Sequence, residues 1–441
     1  MATDQNPDAG LRHERWNLAA LMLDVTFFAL GMAFIDSSAV LPLLLERLGA
    51  TGVVIGGAAA LRSVGLSGFQ IFVAYQLHGK PRQKPWLALI ATVSRLPLLA
   101  MPLFMIYADK SPSMRAVALW AIITILAFWS LGDGLGYVPW MEIVARTFSR
   151  RLRGRFFAST QIASGLGSIA IGMVVVRTIL HSKHLPYPMN YALLTGLAAL
   201  MFMVSLAGVL LIREPGLPLR AAPLLEEDSG GDHRAQFPTL GAYFRRVPAL
   251  LRDNPVFVNL SLIQLLLGFG AASAPFYVLY ATSRFNIGDE WGGIYQAIQA
   301  FGVVALTPLW TVLSERRSPA TAVRALAAAV LLTPLAALTV GALSPWAFGI
   351  VFFLMGGSLG WGLWIVMNHY LLSHVSEQER PIYVALINLL FVPSALFPWF
   401  GGVFVRHGLL VKAAGEPILF VITTAVVLVG FILSLNLAHV E

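Results

Sequence analysis

Ser130–Gln161, SLGDGLGYVPWMEIVARTFSRRLRGRFFASTQ, runs from inside one apolar segment, through a basic loop, into the next. It has a second copy. Ser358-Leu-Gly-Trp-Gly-Leu363 repeats Ser130-Leu-Gly-Asp-Gly-Leu135 after 228 residues. With a one-residue slip, Ser376–Asn388 (SEQERPIYVALIN) follows Ser149–Gln161 (SRRLRGRFFASTQ). Gly52-x3-Gly56-Gly57 likewise returns as Gly288-x3-Gly292-Gly293, a spacing of small residues that lets helix backbones approach closely in lipid. Two halves carrying the same elements indicate an internal duplication.

Of 441 residues, 57% are hydrophobic and only 12% charged, against roughly 25% charged in a water-soluble fold. No soluble core could bury that much apolar surface, so the solvent is a lipid bilayer. The net charge of +8 does not point to nucleic acid, because most charges sit in short loops between apolar segments. With no Cys, disulfides and thiolate metal sites are excluded. There is no Gly-x4-Gly-Lys-Ser/Thr loop, no His/Glu metal spacing and no nucleophile motif. The expectation is therefore a non-enzyme with no cofactor and no metal.

Twelve apolar segments, each near the ~20 residues a spanning helix needs, are predicted at 18–41, 53–77, 86–107, 117–145, 156–180, 190–212, 256–280, 291–313, 321–342, 346–372, 382–405 and 417–438. With the N-terminus inside, the inner segments hold 20 Lys/Arg and the outer ones 8, leaving Arg62 and Arg95 within helices. That asymmetry puts both termini in the cytoplasm. The predicted fold is an all-α polytopic membrane protein, with 12 transmembrane helices in two pseudo-symmetric six-helix bundles. The predicted domains are a cytoplasmic tail at 1–17, bundles at 18–212 and 255–441, and a Pro-, Gly- and acid-containing cytoplasmic linker at 213–254.

Arg153-Gly154-Arg155 after the fourth span resembles the Arg-Gly-Arg common at that place in major facilitator superfamily transporters, and Glu379-Arg380 is its echo after the tenth. Six plus six spans and a long central loop extend the resemblance over nearly the whole chain. Phe34-Ile-Asp36-Ser-Ser-Ala-Val-Leu-Pro42 resembles the end of the first span in some bacterial members. The loop Tyr75–Lys84 lacks the family's usual Asp, and the fifth span has Gly165, Gly167 and Gly172 without the antiporter Gly-Pro pair. The resemblance implies a monomer in the inner membrane that moves a small-molecule substrate by alternating access.

Ionised side chains in hydrocarbon cost roughly 2.5–3.5 kcal/mol each on insertion scales, so those present should be paired or face water. Counting residues along each span puts Asp24, Arg95 and Asp133 in the cytoplasmic half and Asp36 and Arg62 in the periplasmic half. The expected pairs are Asp36 with Arg62, and Arg95 with Asp24 or Asp133. Asp133, flanked by Gly132 and Gly134, is the first candidate for proton coupling and Asp24 the second. The second half lacks matching acids: Asp36 aligns with Phe269 and Asp133 with Trp361. It offers amides and aromatics instead, namely Gln264, Tyr277, Gln296, Gln299, Trp361, Trp364, Asn368 and Asn388, which suit an uncharged or amphipathic solute. Glu142, Arg146, Arg153, Arg155 and Arg380 are the expected gating-loop charges. Proton-coupled transport of such a solute is the leading expectation. A lipid flippase on the same fold, and a non-transporting receptor or assembly factor, are the alternatives.

Overall fold

The computed structural model describes residues 7–68, 82–214, 254–340, 343–375, 392–406 and 415–437, with 73, 76, 77, 383, 386 and 387. Among the described residues all regular structure is helical. The first half of the chain comprises α1 (Pro7–Phe34), α2 (Val40–Arg47), α3 (Gly52–Gly68), α4 (Lys84–Arg95), α5 (Met101–Ala108), α6 (Pro112–Thr147), α7 (Arg150–Ala170), α8 (Arg177–His181) and α9 (Met189–Leu211). The second comprises α10 (Pro255–Gly268), α11 (Ala274–Phe285), α12 (Glu290–Arg316), α13 (Pro319–Val340), α14 (Pro345–Ser358), α15 (Trp361–His374), α16 (Phe397–Arg406) and α17 (Gly415–Leu435). Single 3-10 or π turns join α4 to α5, α7 to α8 and α10 to α11 into longer rods.

Several rods start on the same local device, a polar cap followed by Pro. Ser111, Asn254 and Ser344 each accept a bond from the backbone N–H three residues on, and Pro112, Pro255 and Pro345 follow them. The cap satisfies one orphan donor, and Pro gives up an N–H that would have been unpaired anyway. Ten helical stretches are long and apolar enough to cross a membrane, and two shorter apolar ones, Gly52–Leu66 and Val392–Val405, adjoin residues outside the description. The first helix begins at Pro7, inside the expected tail, and is tied back to the end of α9. Trp16 Nε1 donates to the Leu211 carbonyl at 2.8 Å, and Asn17 exchanges two bonds with the Arg213 backbone.

The two halves meet at several of the repeated glycines. A Cβ on Gly56 would lie 2.0 Å from the Pro398 carbonyl oxygen, and one on Gly402 would lie 2.2 Å from that of Gly52. On the opposite side a Cβ on Gly293 would lie 2.5 Å from the Gly172 oxygen. Contact this close, α3 on α16 and α12 on the π turn after α7, is open only to residues without side chains. Arg47 at the end of α2 reaches Asp289 before α12 with two bonds of 2.8 and 3.0 Å, and Tyr191 donates to the same carboxylate at 2.9 Å. The bond to Asp289 raises the Arg47 pKa above its ordinary value, outweighing burial, which lowers it.

Buried side chains divide accordingly. At the Arg47–Asp289 end one core runs across both halves, from Leu43, Met105 and Tyr191 to Tyr277, Phe348 and Phe420. At the other end the described residues form two cores. Leu21, Ile143, Phe156 and Val209 belong to the first half alone, and Phe257, Val323, Val366 and Tyr370 to the second. Among the described residues the halves share a core at one end and are separately packed at the other.

Candidate functional site

The intramembrane charges gather inside the first half. Gly65 on α3 and Gly134 on α6 cross so closely that a Cβ on Gly134 would sit 2.0 Å from the Gly65 oxygen. Arg62 lies one turn before Gly65 and Asp133 one residue before Gly134, so the crossing sets them face to face. Arg62 Nη2 donates to Asp133 Oδ2 at 2.9 Å, and its guanidinium lies 4.4 Å over the Trp129 ring. Arg62 Nη1 is buried and has no hydrogen-bond partner among the described residues.

A second pair lies deeper. Arg95 on α4 reaches Asp24 on α1 at 3.4 Å. Asp24 also accepts from Trp140 Nε1 at 2.9 Å and Ser205 Oγ at 2.6 Å, so three other helices hold it. Phe28, Trp129 and Phe202 fill the space between the pairs, with Arg95 5.4 Å over the Phe28 ring. The pairs differ in openness. Arg95 and Asp24 side chains are 9% and 5% exposed, against 18% and 15% for Arg62 and Asp133. One is sealed and satisfied, the other accessible and short of an acceptor.

The sequence profile of the Major Facilitator Superfamily matches residues 25–398. The chain belongs to that superfamily. Solved structures share this superfamily's fold with it. A bacterial homologue of the human lysosomal transporter Spinster is 15% identical over 96% of this chain and 97% of its own, with a TM-score of 0.64. A nucleoside transporter is 11% identical over 97% and 99%, at 0.67, and a D-xylose–proton symporter 12% identical over 98% and 97%, at 0.61. No match is found among curated protein sequences.

Within this superfamily fold the charge pairing differs from expectation. Asp36 does not hold Arg62. Its Oδ1 accepts from the backbone N–H of Ser38 and of Ala39, both at 2.9 Å, in the turn that leaves α1. The local turn satisfies that carboxylate, while stacking on Trp129 directs Arg62 to Asp133. Of the two acids offered to Arg95, Asp24 is its partner. The two expected layers of charge are therefore one belt across α1, α3, α4 and α6.

Where described, the candidate amides of the second half are buried or half-buried, and Oε1 of Gln264, Gln296 and Gln299 has no hydrogen-bond partner among the described residues. Gln296 is buried with its Oε1 against Gly172, inside the contact between halves. The Gln299 side chain packs on Gly356 of α14. Gln264 is buried, and Tyr277 lies in the shared core 4.8 Å from the Phe420 ring. Asn368 Nδ2 donates to the Trp364 carbonyl at 2.8 Å, and the Trp364 side chain is exposed. The Trp361 side chain, and Asn388 and Arg380 altogether, lie outside the described residues. Glu142 pairs with Arg146 at 2.7 Å, Arg146 also lies 3.7 Å from Glu214, and Arg153 caps the end of α6 through the Ala145 and Phe148 carbonyls. Arg155 is exposed. A groove of about 670 Å³ between Phe104, Val117 and Trp120 is apolar and contains none of these groups.

Sequence reasoning missed Trp129, Trp140 and Ser205, and also Glu214, which accepts from the backbone N–H of Gln83 and Lys84 at 2.7 and 3.0 Å at the start of α4. Their partners lie 116 residues away for Trp140 and 181 for Ser205, so no local pattern marks them.

Proposed function

We propose that this protein is a secondary active transporter of a small, uncharged or amphipathic organic solute. It works by alternating access in the cytoplasmic membrane, with both termini inside and proton flow as the driving force. Residues 18–212 rock against 255–441, with 213–254 as the cytoplasmic linker and 1–17 leading into the first bundle. The observation that carries this reading is the uneven packing between halves, one shared core at the Arg47–Asp289 end and two separate cores at the other. A molecule joined at one end only can exchange which end is closed while each half keeps its own core.

Asp133 is the coupling carboxylate in this reading. A carboxylate whose surroundings dry and hydrate as the halves rock binds a proton in one state and releases it in the other. Asp133 has Arg62 as its partner and keeps some open surface, whereas Asp24 is held by Arg95, Trp140 and Ser205. Asp133→Asn copies the protonated shape. In liposomes it should exchange solute but no longer accumulate it against a gradient when a pH difference is imposed. Accumulation that persists in Asp133→Asn would move the coupling role to Asp24.

A further inference from the structure

We infer that Arg62 is the receptor for an anionic group on the transported solute, a carboxylate or phosphate monoester, and that Asp133 is the internal anion it displaces. This deepens the transport reading above and rests on it. The first observation is the spare donor. Arg62 spends Nη2 on Asp133 and its guanidinium face on Trp129, leaving Nη1 buried with no acceptor among the described residues. A buried N–H without an acceptor is costly to keep, so an oxygen arriving beside Asp133, or in its place, is favoured. Guanidinium presents parallel N–H groups that match carboxylate and phosphate oxygens, and an aromatic face beneath it holds the plane in place.

The second observation is the contrast with Arg95. Arg95 and Asp24 are nearly sealed, and Trp140 and Ser205 occupy the remaining Asp24 oxygen sites. No solute group can enter there without dismantling four helices. Arg62 and Asp133 sit beside glycines and remain partly open.

Charge balance then links solute to proton. The charges around Asp133 are Arg62 on α3, Asp24 on α1 and Arg95 on α4, which with Asp133 sum to zero. An anion entering this apolar belt alone would leave one negative charge in excess, and so would an unprotonated Asp133 pushed off Arg62. Protonation of Asp133 as a singly charged anion takes over Arg62 keeps the sum at zero. One proton therefore accompanies one singly charged head, a phosphate dianion would bring a second proton with it, and proton and anion each raise the affinity for the other. Of the uncharged and amphipathic solutes considered above, this selects amphipathic ones with an acidic head.

Chemical rescue tests the inference without the solute being known. In purified Asp133→Ala the guanidinium has no internal anion. At pH 7, millimolar acetate or inorganic phosphate should raise its Tm by about 3 °C, while acetamide and equimolar chloride should not. The larger response of the two anions identifies the head group. The double variant Arg62→Gln with Asp133→Ala should show no response to either. If Asp133→Ala does not fold, Asp133→Asn takes its place in the same comparison. Equal shifts from acetate and acetamide, equal shifts in single and double variants, or no shift with either anion would each overturn the inference. Failure here, together with pH-driven accumulation by the wild type, would leave the transport reading standing. Loss of that accumulation would remove the reading itself.

Discussion

The two copies of Ser-Leu-Gly-x-Gly-Leu have opposite structures. Ser130–Leu135 lies inside the unbroken 36-residue α6. Ser358–Leu363 spans a break: α14 stops at Ser358, Gly360 takes φ +68°, and α15 starts at Trp361. Neighbours decide the difference. In the first copy Gly132 faces the Ser94 side chain and Gly134 the Gly65 backbone, close enough that a Cβ on either would clash. Those contacts use a straight helical ridge. In the second copy Trp310 Nε1 donates to the Gly357 carbonyl at 2.6 Å, occupying an acceptor that a continuing helix would use for residue 361. In the register set by Gly52 and Gly288, the first-half counterpart of Trp310 is Ala74, which has no such donor. A duplicated motif thus became a charge-bearing rod in one half and a hinge-like joint in the other.

Breaking the first copy should have the largest effect. Asp133→Ala leaves Arg62 without its counter-charge and should cost about 3–5 kcal/mol, read by thermal unfolding in detergent. Arg62→Leu with Asp133→Ala should recover most of that loss. Equal destabilisation in single and double variants would mean the pair contributes nothing. Gly134→Ala places a Cβ 2.0 Å from the Gly65 oxygen, a backbone atom that cannot rotate away. We expect a loss of about 2–3 kcal/mol in the same assay.

The second copy is the more tolerant. Nothing lies within 4 Å of a Cβ on Gly360, so Gly360→Ala meets only the positive φ. A loss of about 1–2 kcal/mol follows from backbone strain alone. A larger loss would show that the joint is also tightly packed. Trp310→Phe keeps the ring and removes the N–H, and about 1 kcal/mol should be lost. Amide exchange around residues 357–361 would then report whether the helix closes over the break.

Counting rise per residue placed Arg62 and Asp133 in opposite halves of the bilayer, yet they touch. The 36 residues of α6 extend roughly 54 Å at ~1.5 Å each, well beyond the ~30 Å hydrocarbon core. Distance from a loop is therefore a poor gauge of depth on that helix. By residue type Gln296 suits contact with a solute. It instead fills the contact opposite Gly172, on a face that residue counting does not resolve.

Sequence alone determined that lipid is the solvent, that the chain is helical, that it is duplicated, and that Gly52, Gly56, Gly292 and Gly293 mark close backbone contacts. Those properties follow from composition, periodicity and the absence of side chains, all of which are local. Tertiary structure decided which charges pair. Arg62 and Asp133 are 71 residues apart, as are Arg95 and Asp24, and each pair forms because two helices cross at one rotation and one height. Periodicity places a residue along its own helix axis, whereas packing of one helix on another sets the angle from which a partner arrives.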